Sequence, residues 1–135
     1  MATTATTRLL YEARFPAETR FVGPTRRTIV DVARGAGTSE VVTGDVSLAV
    51  SEALTNGVMH AFAGRNAGCV SVRVQVGRDG LTVAVSDDGV GMVPRTDSPG
   101  LGMGLDLIRR VCRRCDVRPG PDGVGTTVRM TFPLA

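Results

Sequence analysis

The chain has 135 residues, 42% of them apolar, with 16 basic and 13 acidic side chains for a net charge of +3. That length gives one domain, residues 1–135, with a single proper core, and no apolar run is long enough to span a membrane. Every basic residue is arginine, and without lysine there is neither a Walker A phosphate loop nor the lysine-bearing strand of eukaryotic-type protein kinases.

The opening "MATTATTRLL" has no basic n-region and no apolar h-region. Three cysteines are an odd number for a secreted disulfide framework, so the expected compartment is a reduced cytoplasm. Leu9, Tyr11, Ala13 and Phe15 alternate with polar residues and predict a first strand ended by Pro16. A helix follows over about 22–34, with Val22, Ile29, Val32 and Ala33 as its apolar stripe and "GAGTS" as its exit. A second helix covers about 39–62, weakened in its first turns by Gly44. "CVSVRVQV" and "LTVAVSD" each alternate, and the Gly/Asp turn "GRDG" between them makes a hairpin. A glycine-rich loop from about 89 to 104 leads into a third helix, "LDLIRRVCRR". Two short strands near 115–118 and 124–132 close the chain. This order predicts an α+β two-layer sandwich: a mixed, mostly antiparallel sheet with three helices on one face.

Strand parity places Asp87 on the same face as Leu81, Val83 and Val85, and Thr126 with Val128, Met130 and Phe132. A carboxylate on an apolar face needs a partner. Asp87–Asp88–Gly89 reads either as a plain turn or as a carboxylate placed to accept from an exocyclic amine. On the long helix, about 100° per residue sets Asn56 one turn along from Glu52, on one narrow stripe at the edge of the buried face. That pair reads either as an i, i+4 contact on a wet face or as something functional.

Four stretches in order resemble one family. "SEALTNGVMHAF" looks like the N box of the Bergerat-fold ATPases, a group that includes DNA gyrase B, heat-shock chaperones, histidine kinases and mismatch-repair ATPases. "DDGVGM" has the D-x-G-x-G of their first glycine box, "GLGMGL" resembles the second, and "GTTVRMTF" resembles the last strand. The short length and the E-x-x-x-N-x-x-x-H spacing are most similar to the bacterial anti-sigma-factor serine kinases. The resemblance implies a cytoplasmic kinase that uses ATP and Mg²⁺, binds a sigma factor and phosphorylates an anti-anti-sigma antagonist. It implies a homodimer, with no direct nucleic-acid or membrane partner.

The resemblance also assigns roles. Glu52 would be the general base, and Asn56 would coordinate Mg²⁺ through its side-chain oxygen. Asp87 would accept from the adenine amino group of ATP or ADP, with Thr126 beside it. Gly89, Gly91 and Met92 of the first glycine box would line the base. Gly102, Met103 and Gly104, at the start of a helix, would offer amides to phosphate oxygens. The stretch "VPRTDSP" between the glycine boxes is shorter than the lid of many relatives, which puts tight retention of ATP in question. Arg95 there reads as a phosphate contact or as an ordinary surface arginine.

Other features are discounted. Cys112 and Cys115 form one C-x-x-C, with only His60 and Cys69 to complete a zinc site, so no metal is expected there. His60 is expected to be a satisfied structural histidine. Arg109, Arg110, Arg113 and Arg114 suit a solvated helix end better than nucleic acid, since aromatic residues are scarce. Arg20, Arg26 and Arg27 lie where the family makes partner contacts. Two other functions fit the same boxes: a non-catalytic nucleotide-binding module that sequesters a regulator, and a detached ATP-binding subunit of a histidine kinase.

Overall fold

A computed structural model of the chain describes residues 7–62, 68–89, 99–120 and 125–134, with backbone alone at 62 and 99–103. In order, the elements are β1 (Arg8–Pro16), a 3-10 turn (Thr19–Phe21), α1 (Val22–Ala36), α2 (Glu40–Phe62), β2 (Cys69–Gly77), β3 (Gly80–Asp87), α3 (Pro99–Val111), β4 (Arg114–Pro119) and β5 (Thr126–Phe132). The strands form one sheet in the order β1-β2-β3-β5-β4.

Every neighbouring pair is antiparallel, which corrects the mixed sheet expected from the sequence. The crossover through α3 does bring β4 back parallel to β3. However, β5 occupies the gap between them and pairs antiparallel with both.

Alternation decides which face is covered. Val70, Val72 and Val74 of β2, Leu81 and Val83 of β3, and Met130 and Phe132 of β5 are fully buried. They meet Ile29 and Ala33 of α1, Val50 and Leu54 of α2, and Ile108 of α3 in one core. Each such branched or aromatic side chain contributes about 1.5–3 kcal/mol relative to exposure. On the opposite face short polar side chains pair across strands, Ser86 with Thr127 at 2.8 Å and Thr82 with Thr131 at 3.4 Å.

The turn between α1 and α2 fixes where α2 begins. Gly37 takes a φ of 108°, a left-handed conformation, and its N–H reaches the carbonyls of Ala33 and Arg34. Ser39 then caps α2, its Oγ accepting from the Val42 N–H at 3.2 Å. Thr38 Oγ1 donates to the Ala33 carbonyl at 3.0 Å and lies 2.6 Å from Thr43 Oγ1, closing the corner.

The third helix differs from expectation. It runs Pro99–Val111 rather than from Leu105, because Pro99 is preorganised for a first helical position and the glycines that follow are carried along.

Candidate active site

α2 carries Glu52, Asn56 and His60 at successive four-residue steps, so they stack along one side of the helix. Ala53 and Leu54 are buried and Thr55 and Met59 exposed, while Glu52 and Asn56 are half-buried between them. This is the rim position that the helical period predicts.

α3 crosses that rim at Gly104. A Cβ on this residue would lie 2.9 Å from Asn56 Nδ2 and 3.4 Å from Glu52 Oε2. A side chain there would press on the Asn56 carboxamide, and glycine leaves the space between the two helices clear. Asn56 Nδ2 is buried and has no hydrogen-bond partner among the described residues. A buried amide nitrogen without a partner among the described residues is a cost, and it fits a site that a ligand completes.

The far end of the stripe meets the sheet. Asp87 ends β3 and is 6% exposed, and its register partner on β5 is Thr126, also buried. Both point inward, as strand parity requires. Asp87 Oδ1 accepts from the Gly89 N–H at 2.9 Å, an Asx turn, so the plain-turn reading is also true of this carboxylate. Its Oδ2 lies 3.8 Å from His60 Nδ1. Asp88 faces elsewhere and accepts from the Cys69 N–H at 2.9 Å, tying β2 to the end of β3. Gly89 is required for close approach, since a Cβ there would run into the His60 carbonyl.

Glu52, Asn56, Gly104, His60, Asp87, Gly89 and Thr126 therefore line one side of α2 and the adjoining sheet end. With α3 starting at Pro99, Gly102, Met103 and Gly104 lie within its first two turns rather than in a loop that precedes it. Gly91, Met92 and Arg95 lie outside the described residues.

Two contributors escaped the sequence reading. The sequence predicts a satisfied structural histidine at His60, yet neither ring nitrogen has a hydrogen-bond partner among the described residues. Gly125 takes a φ of 74°, and a Cβ there would strike the Asp87 carbonyl. The G-T of "GTTVRMTF" was the available clue to it.

The arginines divide. Arg26 donates to Ser51 Oγ at 3.3 Å, bridging α1 to the residue beside Glu52. Arg20 is taken up by Glu18 at 2.8 Å and lies over the Phe21 ring. Arg113 donates to the Asp79 carbonyl at 3.2 Å. Burial, and then the neighbouring Cys115, push the Cys112 thiol up to about 11. Burial raises Cys115 too. Among the described residues no group of three or more His, Cys, Asp or Glu side chains is placed to hold a metal.

The arrangement can be set beside known proteins. The histidine kinase-like ATPase domain family matches residues 15–132. The serine-protein kinase RsbW of Bacillus velezensis is 45% identical over 78 residues, 58% of this chain and 49% of that protein. The RsbW of Listeria innocua is 40% identical over 76 residues, 56% and 48% of the two chains. The RsbW of Bacillus licheniformis is 38% identical over 91 residues, 67% and 57%. The chain spans about half the length of the curated relatives it matches. A crystal structure of the RsbU and RsbW domains of Rv1364c from Mycobacterium tuberculosis superposes with a TM-score of 0.65 at 20% identity. It covers 92% of this chain and 32% of the other, a likeness of fold. With a match running from the end of β1 through β5, the chain belongs to the histidine kinase-like ATPase domain family.

Proposed function

We propose that the chain is an ATP- and Mg²⁺-dependent protein serine kinase that acts as an anti-sigma factor. It binds a sigma factor and phosphorylates a serine of an anti-anti-sigma antagonist. The observation that carries this reading is the convergence on Gly104 of the Glu52 carboxylate and the Asn56 carboxamide, whose Nδ2 has no hydrogen-bond partner among the described residues. A base and a metal ligand one helical turn apart suit an in-line transfer.

Each residue has a separable task. Asp87, held by the Gly89 N–H, accepts from the exocyclic amine of adenine and refuses guanine, which presents a carbonyl there. Asn56 would hold Mg²⁺ through its side-chain oxygen, and among the described residues no hydrogen bond at Nδ2 resists that orientation. Glu52 takes the proton of the substrate hydroxyl. Gly104 keeps the space between the helices clear. When bound, Mg·ATP supplies the phosphoryl group and offsets the charge that develops on it. The arginines around the start of α1, with Arg26 beside Ser51, form part of the protein-binding surface.

The chain works as a cytoplasmic homodimer, with no nucleic acid or membrane as partner. β1 is an edge strand whose Leu9 is 44% exposed, an open edge suited to pairing. Light scattering should report twice the mass of one chain, and a monomer at working concentration would refute the pairing.

The deciding experiment is Glu52→Ala. Nucleotide affinity should change little, while transfer to the antagonist falls by roughly 10²–10⁴, the usual contribution of a positioned base. The phosphoprotein should survive acid, as phosphoserine does and phosphohistidine does not. Wild-type transfer by the variant would remove the mechanism.

A further inference from the structure

His60 is the only histidine of the chain, and it is 8% exposed. Both ring nitrogens are buried without a hydrogen-bond partner among the described residues. A leucine or phenylalanine would fill this place with no polar atom to satisfy, so an imidazole here is costly. The polar group that faces it is Asp87, with Nδ1 3.8 Å from Oδ2. That is longer than a hydrogen bond, but in low-dielectric surroundings an N–H aimed at a carboxylate still attracts it, and a small side-chain rotation closes the gap. The other oxygen of Asp87 is already engaged by Gly89. Gly89 in turn abuts the His60 carbonyl, so backbone and side chain of His60 both bear on residues 87–89.

We propose that His60 is a positioning residue for Asp87. With its proton on Nδ1 it faces Oδ2, and together with the Gly89 N–H it fixes the carboxylate in the orientation that meets the 6-amino group of the purine. The nucleotide half of this proposal rests on Asp87 being the base-reading carboxylate; the pairing of imidazole and carboxylate does not.

The test has two parts. In nucleotide-free protein, long-range ¹⁵N–¹H NMR shows one imidazole, assigned without mutagenesis because the chain has one histidine. A protonated Nδ1 and a bare Nε2 are expected, and Asp87→Asn should change that pattern. A proton on Nε2, the form that free histidine favours, would overturn the proposal. Calorimetry then compares ATP with the purine riboside triphosphate that lacks the 6-amino group. His60→Leu should weaken ATP about ten-fold, the scale of one hydrogen bond to a charged group, and change the analogue less than two-fold. His60→Asn, whose amide nitrogen replaces Nδ1, should recover most of the loss. Equal losses for both nucleotides would reduce His60 to a packing residue and end the proposal. A wild-type chain that binds ATP and the analogue equally would remove the base-reading role of Asp87, and the tautomer would still report on the pairing.

Discussion

Replacing Gly104 by alanine perturbs the site at its narrowest point. The new Cβ would lie 2.9 Å from Asn56 Nδ2, 3.4 Å from Glu52 Oε2 and 3.7 Å from Asn56 Cγ. Non-bonded heavy atoms settle at about 3.5 Å or more, so the carboxamide must retreat by about half an ångström. Alanine in a helix gains roughly 0.5–1 kcal/mol over glycine. A methyl forced into a packed site costs roughly 1–3 kcal/mol. Here the atom that yields is the free end of a side chain, so the cost falls at the low end of that range. The two terms nearly cancel, and the melting temperature should move by less than about 5 °C. Function should not escape, since a misplaced group in a positioned constellation loses about 10- to 100-fold. Calorimetry with and without Mg²⁺ should show that loss for Mg·ATP and little change for metal-free ATP, with transfer falling in step. A stable variant with wild-type Mg·ATP affinity and transfer would refute the assignment of Asn56 and Glu52.

Asp87→Ala should weaken ATP about ten-fold or more, since a buried hydrogen bond to a charged group is worth roughly 1.5–3 kcal/mol. Equal wild-type affinity for ATP and GTP would sink that reading. Ser39→Ala removes the acceptor for the Val42 N–H and should cost about 1 kcal/mol, lowering the melting temperature by roughly 3–6 °C with nucleotide affinity intact. With its pKa raised to about 11, Cys112 stays protonated until well above neutrality. About one molecule in a thousand carries its thiolate at pH 8, so alkylation should climb roughly ten-fold per pH unit up to pH 10. A plateau by pH 9 would contradict the burial that raises it.

Strand parity was legible because one face of the sheet is buried: the alternation of Leu81, Val83 and Val85 carries Asp87 inward with it. The helical period likewise set Glu52 and Asn56 at the rim. The start of α3 was not legible. Gly100, Gly102 and Gly104 read as loop by propensity, and the helix they belong to is held by tertiary packing of Leu105 and Ile108. The state of His60 was hidden for a different reason. Nothing near it in sequence reveals that the polar group it meets comes from the end of β3. The same holds for Gly104, whose reason for being glycine lies on α2.

β3 is the middle strand of the five, with a neighbour on each side, and Asp87 stands at its end. Gly104 instead belongs to α3, which rests on α2 and the edge strand β4. The two ends of a nucleotide lying along α2 would thus rest on parts of unequal permanence. Amide protons of β3 should exchange only with global opening, and those at the start of α3 by local opening. On the proposed reading, a change in the phosphate tail is felt by the part that yields, while the base stays gripped by the part that does not.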